Sequence, residues 1–295
     1  MTIFLTGASG LLGNALATAF TKSGWTVHAV HNKRKPTQPG LHLHKIDLTD
    51  SKELRHLLNC SKPDSIVNAA ALSVPAKCQE DPLLSKALNV ALPVELAQVA
   101  ADQELRFITF STDLVFDGKL GNYHPSSPTN PTNLYGEHKR ESEIRVEKTY
   151  EKTCIIRLPF LMGNSPSGTR SVHEALWKAW CKKQVTPLFE DEWRNPVSVA
   201  NVATLVKEAL EIGGIKGLFH WAGADSLNRW EMGHRIANSF NVPEDLLQRT
   251  IARNYPQFKD RPLNLTMDSY KLKALVETEP EPFENQLKGL LIPNT

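Results

Sequence analysis

Apolar and polar positions follow two alternating periods through the first half of the chain. Thr2–Thr6 is a short apolar run that ends in glycines. Leu11–Lys22 then places apolar residues at helical spacing, with Gly24 as a stop. Trp25–Val30 and Leu43–Ile46 predict strands, separated by a basic, proline-containing loop at Lys33–Gly40. Asp50 or Ser51 is placed to cap a helix running to Leu58. Next come a strand at Ser65–Asn68, a long amphipathic helix at Leu83–Ala101 and a strand at Arg106–Phe110. A helix at Asn133–Lys148 and a strand at Cys154–Leu158 follow. Strands alternating with helices predict an α/β fold, a parallel sheet doubly wound by helices in the Rossmann manner.

The pattern loosens after Pro159. Gly163–Arg170 is a Gly/Ser/Pro loop, and Val172–Lys182, Val199–Glu211 and Arg229–Phe240 predict helices. Gly217–Trp221 predicts a strand, and Glu277–Glu284 an acidic, proline-rich connector. The expected organisation is a dinucleotide-binding domain over 1–158 and a smaller, discontinuous α/β lobe over 159–295. A segment near 197–215 is expected to return to the first domain.

Composition narrows the classes. The 295 residues carry 34 Lys plus Arg against 32 Asp plus Glu, a balance with no footprint for nucleic acid or an anionic membrane. No stretch is read as an apolar membrane span, so a cytoplasmic protein is expected. Cys60, Cys78, Cys154 and Cys181 lack C-x-x-C spacing, which points to thiols in a reducing compartment, with no metal site. His173, His220 and His234 lack ligand spacing and are assigned to packing or surface. Five tryptophans, Trp177, Trp180, Trp193, Trp221 and Trp230, are read mainly as core anchors of the second lobe. Glu190-Asp191-Glu192 reads as a solvated acidic turn.

Gly7, Gly10 and Gly13 form G-x-x-G-x-x-G between the first strand and first helix. Such a turn lets the backbone approach a pyrophosphate seated on the helix N-terminus, with Ser9, Leu11 and Leu12 beside it. The second strand ends in His31-Asn32-Lys33-Arg34-Lys35 without an acid. Basic side chains suit a 2′-phosphate, which favours NADP(H) and leaves NAD(H) open. Asp47 and Leu48 are then expected near the adenine, and Asn68, Ala69, Ala70 and Ala71 under the ribose and pyrophosphate. Ser111, Thr112 and Val115 follow a parallel strand, where hydroxyls face the ligand crevice. Tyr135 and Lys139 stand four apart, on one helix face. A nearby ammonium is expected to bring the tyrosine pKa down from its usual value of about 10. Thr112, Tyr135 and Lys139 are the expected catalytic set, with Thr112 bonding a substrate carbonyl, Tyr135 giving a proton and Lys139 also binding ribose.

These residues, in this order, resemble the extended short-chain dehydrogenase/reductases, and within them the dTDP-4-dehydrorhamnose reductase branch. The resemblance is carried by Val67-Asn68-Ala69-Ala70-Ala71, Ser111-Thr112-Asp113-Leu114-Val115-Phe116-Asp117-Gly118 and Asn133-Leu134-Tyr135-Gly136-Glu137-His138-Lys139. Arg157, Gly217–Gly223 and Arg261-Pro262-Leu263-Asn264 add to it. It runs nearly end to end. It implies reduction of a keto group on a nucleotide-linked sugar, with Asn89 and Leu158 added to the cofactor site and Phe160 and Arg194 to the substrate site. Arg170 is a second candidate for a substrate phosphate. Two stretches depart from the pattern. Phe160 stands where the reductases carry a tryptophan, and Asn164–Arg170 lacks their usual Asn-Phe-Val. The chain is also similar to the non-catalytic beta subunit of methionine adenosyltransferase, which implies an NADP-binding regulatory subunit as the alternative. A nucleotide-sugar epimerase or dehydratase is a further one, although Asp113 is the single acid beside Thr112. A nucleotide-sugar partner is expected, and a homodimer is admitted.

Overall fold

The computed structural model describes residues 1–256 and 261–293. Its centre is a seven-stranded, all-parallel sheet. The strands are β1 (Thr2–Thr6), β2 (Thr26–His31), β3 (Leu41–Lys45), β4 (Ser65–Asn68), β5 (Arg106–Thr112), β6 (Cys154–Leu158) and a seventh, Gly217–His220. In space the order is seventh strand, β6, β5, β4, β1, β2, β3. It reverses direction between β1 and β4, and a crevice opens at such a switch point. β4 and β6 are buried along their whole length, as a sheet covered on both faces requires.

On one face, α1 (Leu11–Lys22) and the later helix Val199–Ile212 bury Leu12, Leu16, Phe20, Val202 and Val206 against Ile3, Leu5 and Ile156. The other face is covered by α2 (Ser51–Ser61), α3 (Pro75–Glu80) and a longer helix built of three pieces. These are α4 (Pro82–Lys86), a π turn (Ala87–Ala91) and α5 (Leu92–Asp102). There Leu54, Leu96 and Ala100 pack on Phe4, Ile66 and Phe107. The same face carries α6 (Leu134–Thr149). Asp50 caps α2, accepting from the amides of Lys52 and Glu53, both at 3.0 Å. By length and composition alone the helix Pro82–Asp102 reaches that of a membrane span, which corrects the sequence reading. Half of its most apolar window is buried, where it packs against β4, β5 and α6.

The chain after β6 builds a smaller layer from α7 (Val172–Cys181), α8 (Val199–Ile212), α9 (Arg229–Ser239) and short strand pairs. Of these, α8 belongs to the sheet side, where it packs against α1. The remainder has its own core of Trp180, Met232, Ile236, Phe240 and Phe283. Asn228 caps α9 in a reciprocal box. Its side chain accepts from the Glu231 amide at 2.8 Å, and the Glu231 carboxylate accepts from the Asn228 amide at 3.0 Å.

Candidate active site

A cleft of about 800 Å³ lies between the C-terminal ends of β1, β4, β5 and β6 and the smaller layer. Gly10, Leu11, Leu12 and Gly13 line one end, and Asn68, Ala69, Ala70 and Ala71 its floor. Ser111, Thr112, Tyr135, Lys139, Leu158 and Phe160 form the middle.

The glycine turn has two separate causes. Gly7 has φ +73, and a Cβ there would fall 2.5 Å from the Ala69 carbonyl; one on Gly13 would fall 2.0 Å from the Gly7 oxygen. Those two glycines are demanded by internal packing. Gly10 opens to the cleft instead. It is the N-cap of α1, which has no side-chain cap and no acid in its first turn. Main-chain N–H groups of that turn therefore remain for an anion, the donor set a dinucleotide pyrophosphate needs. Ser9 is half-buried and does not line the cleft.

The other expected cofactor residues divide in two. Asn32, Lys33 and Arg34 are exposed beyond the end of β2. Asp47 beside them is held below the usual carboxylate range by hydrogen bonds from Thr49, helped by Asn32 and Lys33. Leu48 packs against the α2 side of the core. Asn68, on the cleft floor, and Asn89, away from it, are both tied into the fold by hydrogen bonds. Asn68 accepts from Thr6 Oγ1 at 2.7 Å and donates to Thr109 Oγ1 at 3.1 Å. Asn89, fully buried on the π turn, exchanges two 3.1 Å hydrogen bonds with the Leu72 backbone. It shapes the loop under the cleft without facing it. Val115 is likewise displaced from the expected substrate site into a core with Phe116, Tyr123 and Leu265.

Tyr135 and Lys139 both face the cleft from the first turns of α6, whose start is set by Asn133 accepting from the Gly136 amide at 3.0 Å. Burial pushes the Tyr135 phenol upward, and the Asp113 carboxylate adds to this. The expected lowering by Lys139 is absent here, because desolvation dominates. Burial brings the Lys139 ammonium down to about 8, and the Glu143 carboxylate opposes that shift. Thr112 Oγ1 donates to Asp113 at 3.0 Å and accepts from the Leu114 amide at 3.2 Å.

Two buried carboxylates back the site. Glu143 accepts from Ser111 Oγ at 2.5 Å, from Arg157 through Nε and Nη2, both at 2.7 Å, and from Arg140 at 3.0 Å. Arg157 also reaches His220 Nε2 at 3.3 Å, while the Tyr123 carbonyl lies 3.1 Å from His220 Nδ1. Burial first, then Arg157, takes the His220 pKa down to about 3, so the ring is neutral and accepts from Arg157. Glu192 is the second hub, contrary to its reading as a solvated turn. It is buried and pairs with Arg229 at 2.8 Å, Arg261 at 2.9 Å and Arg194 at 3.3 Å. Its neighbours Glu190 and Asp191 bond Arg249 and the Ala252 amide. Sequence offered no signal for Glu192, since Arg229 and Arg261 lie 37 and 69 residues away.

Arg194 lines the cleft but is fully engaged, by Glu192, by Asp113 at 3.5 Å and by the carbonyls of Trp193, Pro262 and Leu263. Arg229, Arg261 and Arg170 line the same wall, and Arg229 sits 4.1 Å over the Phe160 ring. The five tryptophans stay out of the cleft; Trp221 and Trp180 are core residues bonded to Asn201 and Thr186.

A family model described as the RmlD substrate binding domain matches residues 1–294. The chain belongs to that family. It is 29% identical to the probable low-salt glycan biosynthesis reductase Agl14 of Haloferax volcanii, over 98% of this chain and 97% of the relative. It is 31% identical to methionine adenosyltransferase 2 subunit beta of Rattus norvegicus, over 99% of this chain and 87% of the relative. Among solved structures it is similar to a hypothetical dTDP-4-dehydrorhamnose reductase from Sulfolobus tokodaii. The TM-score is 0.85 at 25% identity, covering 99% of this chain and 100% of the other. Both branches resembled by the sequence are therefore represented, and the Rossmann architecture extends to this family member.

Proposed function

We propose that this protein is an NADPH-dependent reductase of a keto group on a nucleotide-linked sugar. The observation that supports the reading best is the meeting of Thr112, Tyr135 and Lys139 in one cleft with the uncapped N-terminus of α1. The cofactor is NADP(H), with NAD(H) second, because the exposed Lys33 and Arg34 suit a ribose 2′-phosphate and β2 itself ends without an acid. When bound, NADPH supplies the hydride that goes to the carbonyl carbon. Thr112 turns its hydroxyl from Asp113 to the carbonyl oxygen and donates to it. Tyr135 holds a proton at neutral pH, as its burial favours, and passes it to the same oxygen. Lys139 stays charged beside it to stabilise the phenolate left behind. Arg229, Arg261 and Arg170 offer charge to a diphosphate. Tyr135→Phe should lower NADPH-dependent ketosugar reduction by about 100-fold or more, with NADPH affinity unchanged within about threefold. Lys33→Ala with Arg34→Ala should weaken NADPH more than NADH in equilibrium titrations; equal losses would count against NADP.

A regulatory subunit is the second reading, favoured by the 31% identity to the methionine adenosyltransferase subunit. It gains if the unaltered protein oxidises no NADPH with 4-keto nucleotide sugars yet binds the cofactor. An epimerase or dehydratase is less favoured. The single acid beside Thr112, Asp113, is already tied to Thr112 and Arg194.

A further inference from the structure

We propose that Glu174 is a positioning residue for Arg170. Its buried carboxylate ties both ends of the loop 165–170 together and so fixes the point from which Arg170 meets the diphosphate of a substrate. The inference rests on the reading of the cleft as a nucleotide-sugar site.

Little in the loop's own sequence would hold it. Ser165-Pro166-Ser167-Gly168-Thr169-Arg170 has no large apolar side chain, and Pro166, Ser167, Thr169 and Arg170 are exposed. It is also the stretch that departs from the reductase pattern. Yet its two ends meet on one carboxylate. Glu174 Oε1 accepts from the Ser165 amide at 2.6 Å. Glu174 Oε2 accepts from the Ser165 hydroxyl and the Arg170 amide, both at 2.7 Å, and from the Ser171 amide at 2.9 Å. The last of these is the ordinary bond of a carboxylate to the N-cap of its helix, here α7. The other three go beyond what a helix start requires. Ser165 Oγ draws the loop in further, accepting from the amides of Thr169 at 3.1 Å and Arg170 at 3.2 Å. Glu174 is 2% exposed, so water does not compete for these charge-assisted bonds.

The frame around the loop is fixed as well. Asn164, just before it, donates to the Gly289 carbonyl and accepts from the Leu291 amide, both at 2.8 Å. Gly163 is pressed against α8, where a Cβ would fall 2.5 Å from Val199 Cγ2. On the other side α7 anchors Trp180 in the core of the smaller layer. From this frame Arg170 lines the cleft beside Phe160, Val172 and Arg229. Arg194, Arg229 and Arg261 share Glu192, whereas Arg170 forms no ion pair among the described residues. Its main chain is held by Glu174 while its guanidinium is left for a ligand. A surface loop ordered in advance spares the entropy of ordering it when an anion arrives. Loss of the tie should therefore weaken diphosphate binding without touching the cofactor.

The test is a double-mutant cycle on the full-length protein, read by calorimetric titration with dTDP and UDP and, separately, with NADPH. Arg170→Ala should weaken the nucleoside diphosphate that binds by about tenfold, and Glu174→Gln by about fivefold. The double variant should be no weaker than Arg170→Ala alone, because Glu174 acts through Arg170. Losses that multiply overturn the positioning role. NADPH affinity should stay within about twofold throughout; an equal loss there would put Arg170 on the cofactor's pyrophosphate and overturn the assignment to substrate. Ser165→Ala, which leaves α7 and its cap untouched, should give the same pattern at about threefold and covers the case in which Glu174→Gln fails to fold. Tryptic cleavage after Arg170, followed by mass, should quicken in both variants, and an unchanged rate in a folded variant overturns the closure of the loop whatever the cleft binds. If cleavage quickens but the unaltered protein binds neither dTDP nor UDP, the nucleotide-sugar reading fails while the closure of the loop by Glu174 stands.

Discussion

Glu143 and Glu192, two of the buried carboxylates around the cleft, are built alike and differ in what surrounds them. Glu143 and Arg157 are sealed, with side chains 2% and 1% exposed, between one helix and two strands of the sheet, and of their partners Arg140, 33% exposed, reaches outward. Glu192 is as deeply buried, but its arginines grade outward: Arg194 is 6% exposed, Arg229 16% and Arg261 40%. The first cluster is a permanent electrostatic setting. The second opens into the cleft, so its outer guanidiniums can trade contacts with an incoming anion while Glu192 keeps them in place. A buried ion pair costs desolvation in either case. At Glu143 that cost fixes the junction of α6 with β5 and β6, and at Glu192 it brings an adaptable wall.

The contrast can be broken most severely at Arg157. Arg157→Met removes the bidentate partner of buried Glu143 and leaves Arg140 as its remaining cation, and about 3 kcal/mol of folding stability should be lost in urea unfolding. An effect below about 1 kcal/mol would show that the cluster is not sealed. Acid should probe the same cluster through His220. The unfolded imidazole takes a proton near its ordinary value of about 6.5, the folded one only near 3. Between those values the unfolded chain binds more protons, so stability falls as pH drops through that window. About 3 kcal/mol should go between pH 7 and 4 by this route. His220→Asn should remove that part of the pH dependence in parallel melts. The smallest effect on folding is expected at the open cluster. Arg261→Ala should cost less than Arg157→Met, about 1–2 kcal/mol, since Arg229 and Arg194 remain to pair Glu192, yet weaken binding of a nucleoside diphosphate by about tenfold in calorimetry. A large loss of stability there would make the two clusters equivalent.

These clusters also show where sequence stops being readable. β4 and β6, the turn at Gly7–Gly13 and the cap at Asp50 could be located because each depends on residues a few positions apart. Tyr135 and Lys139 were legible for the same reason, as neighbours on one helix face. Glu192 was misread because an acidic triplet looks solvated until two distant arginines arrive. Arg194 looked like a ligand residue because its own five partners were out of view. Val115 follows the cleft-lining Leu114 in sequence but turns inward, and Asn89 is buried on the π turn. The two-residue strands of the smaller layer, such as Trp193–Arg194 and Leu227–Asn228, are too short to show a period at all.

The π turn at Ala87–Ala91 has a bearing on how this chain tolerates change. It carries one residue more than an α turn would need, and both Asn89 and Ser85 depend on that extra residue for their direction. Each residue of an α-helix advances the side chains by about 100°. Deleting a single residue there would rotate everything before it by about that angle, taking Ser85 away from His138 and Asn89 away from the loop at Leu72. Replacements of the exposed side chains along 82–91, such as Leu83, should leave this geometry standing, while a change of length by one should not. In this stretch the number of residues, more than their identity, carries the information that shapes the floor of the cleft.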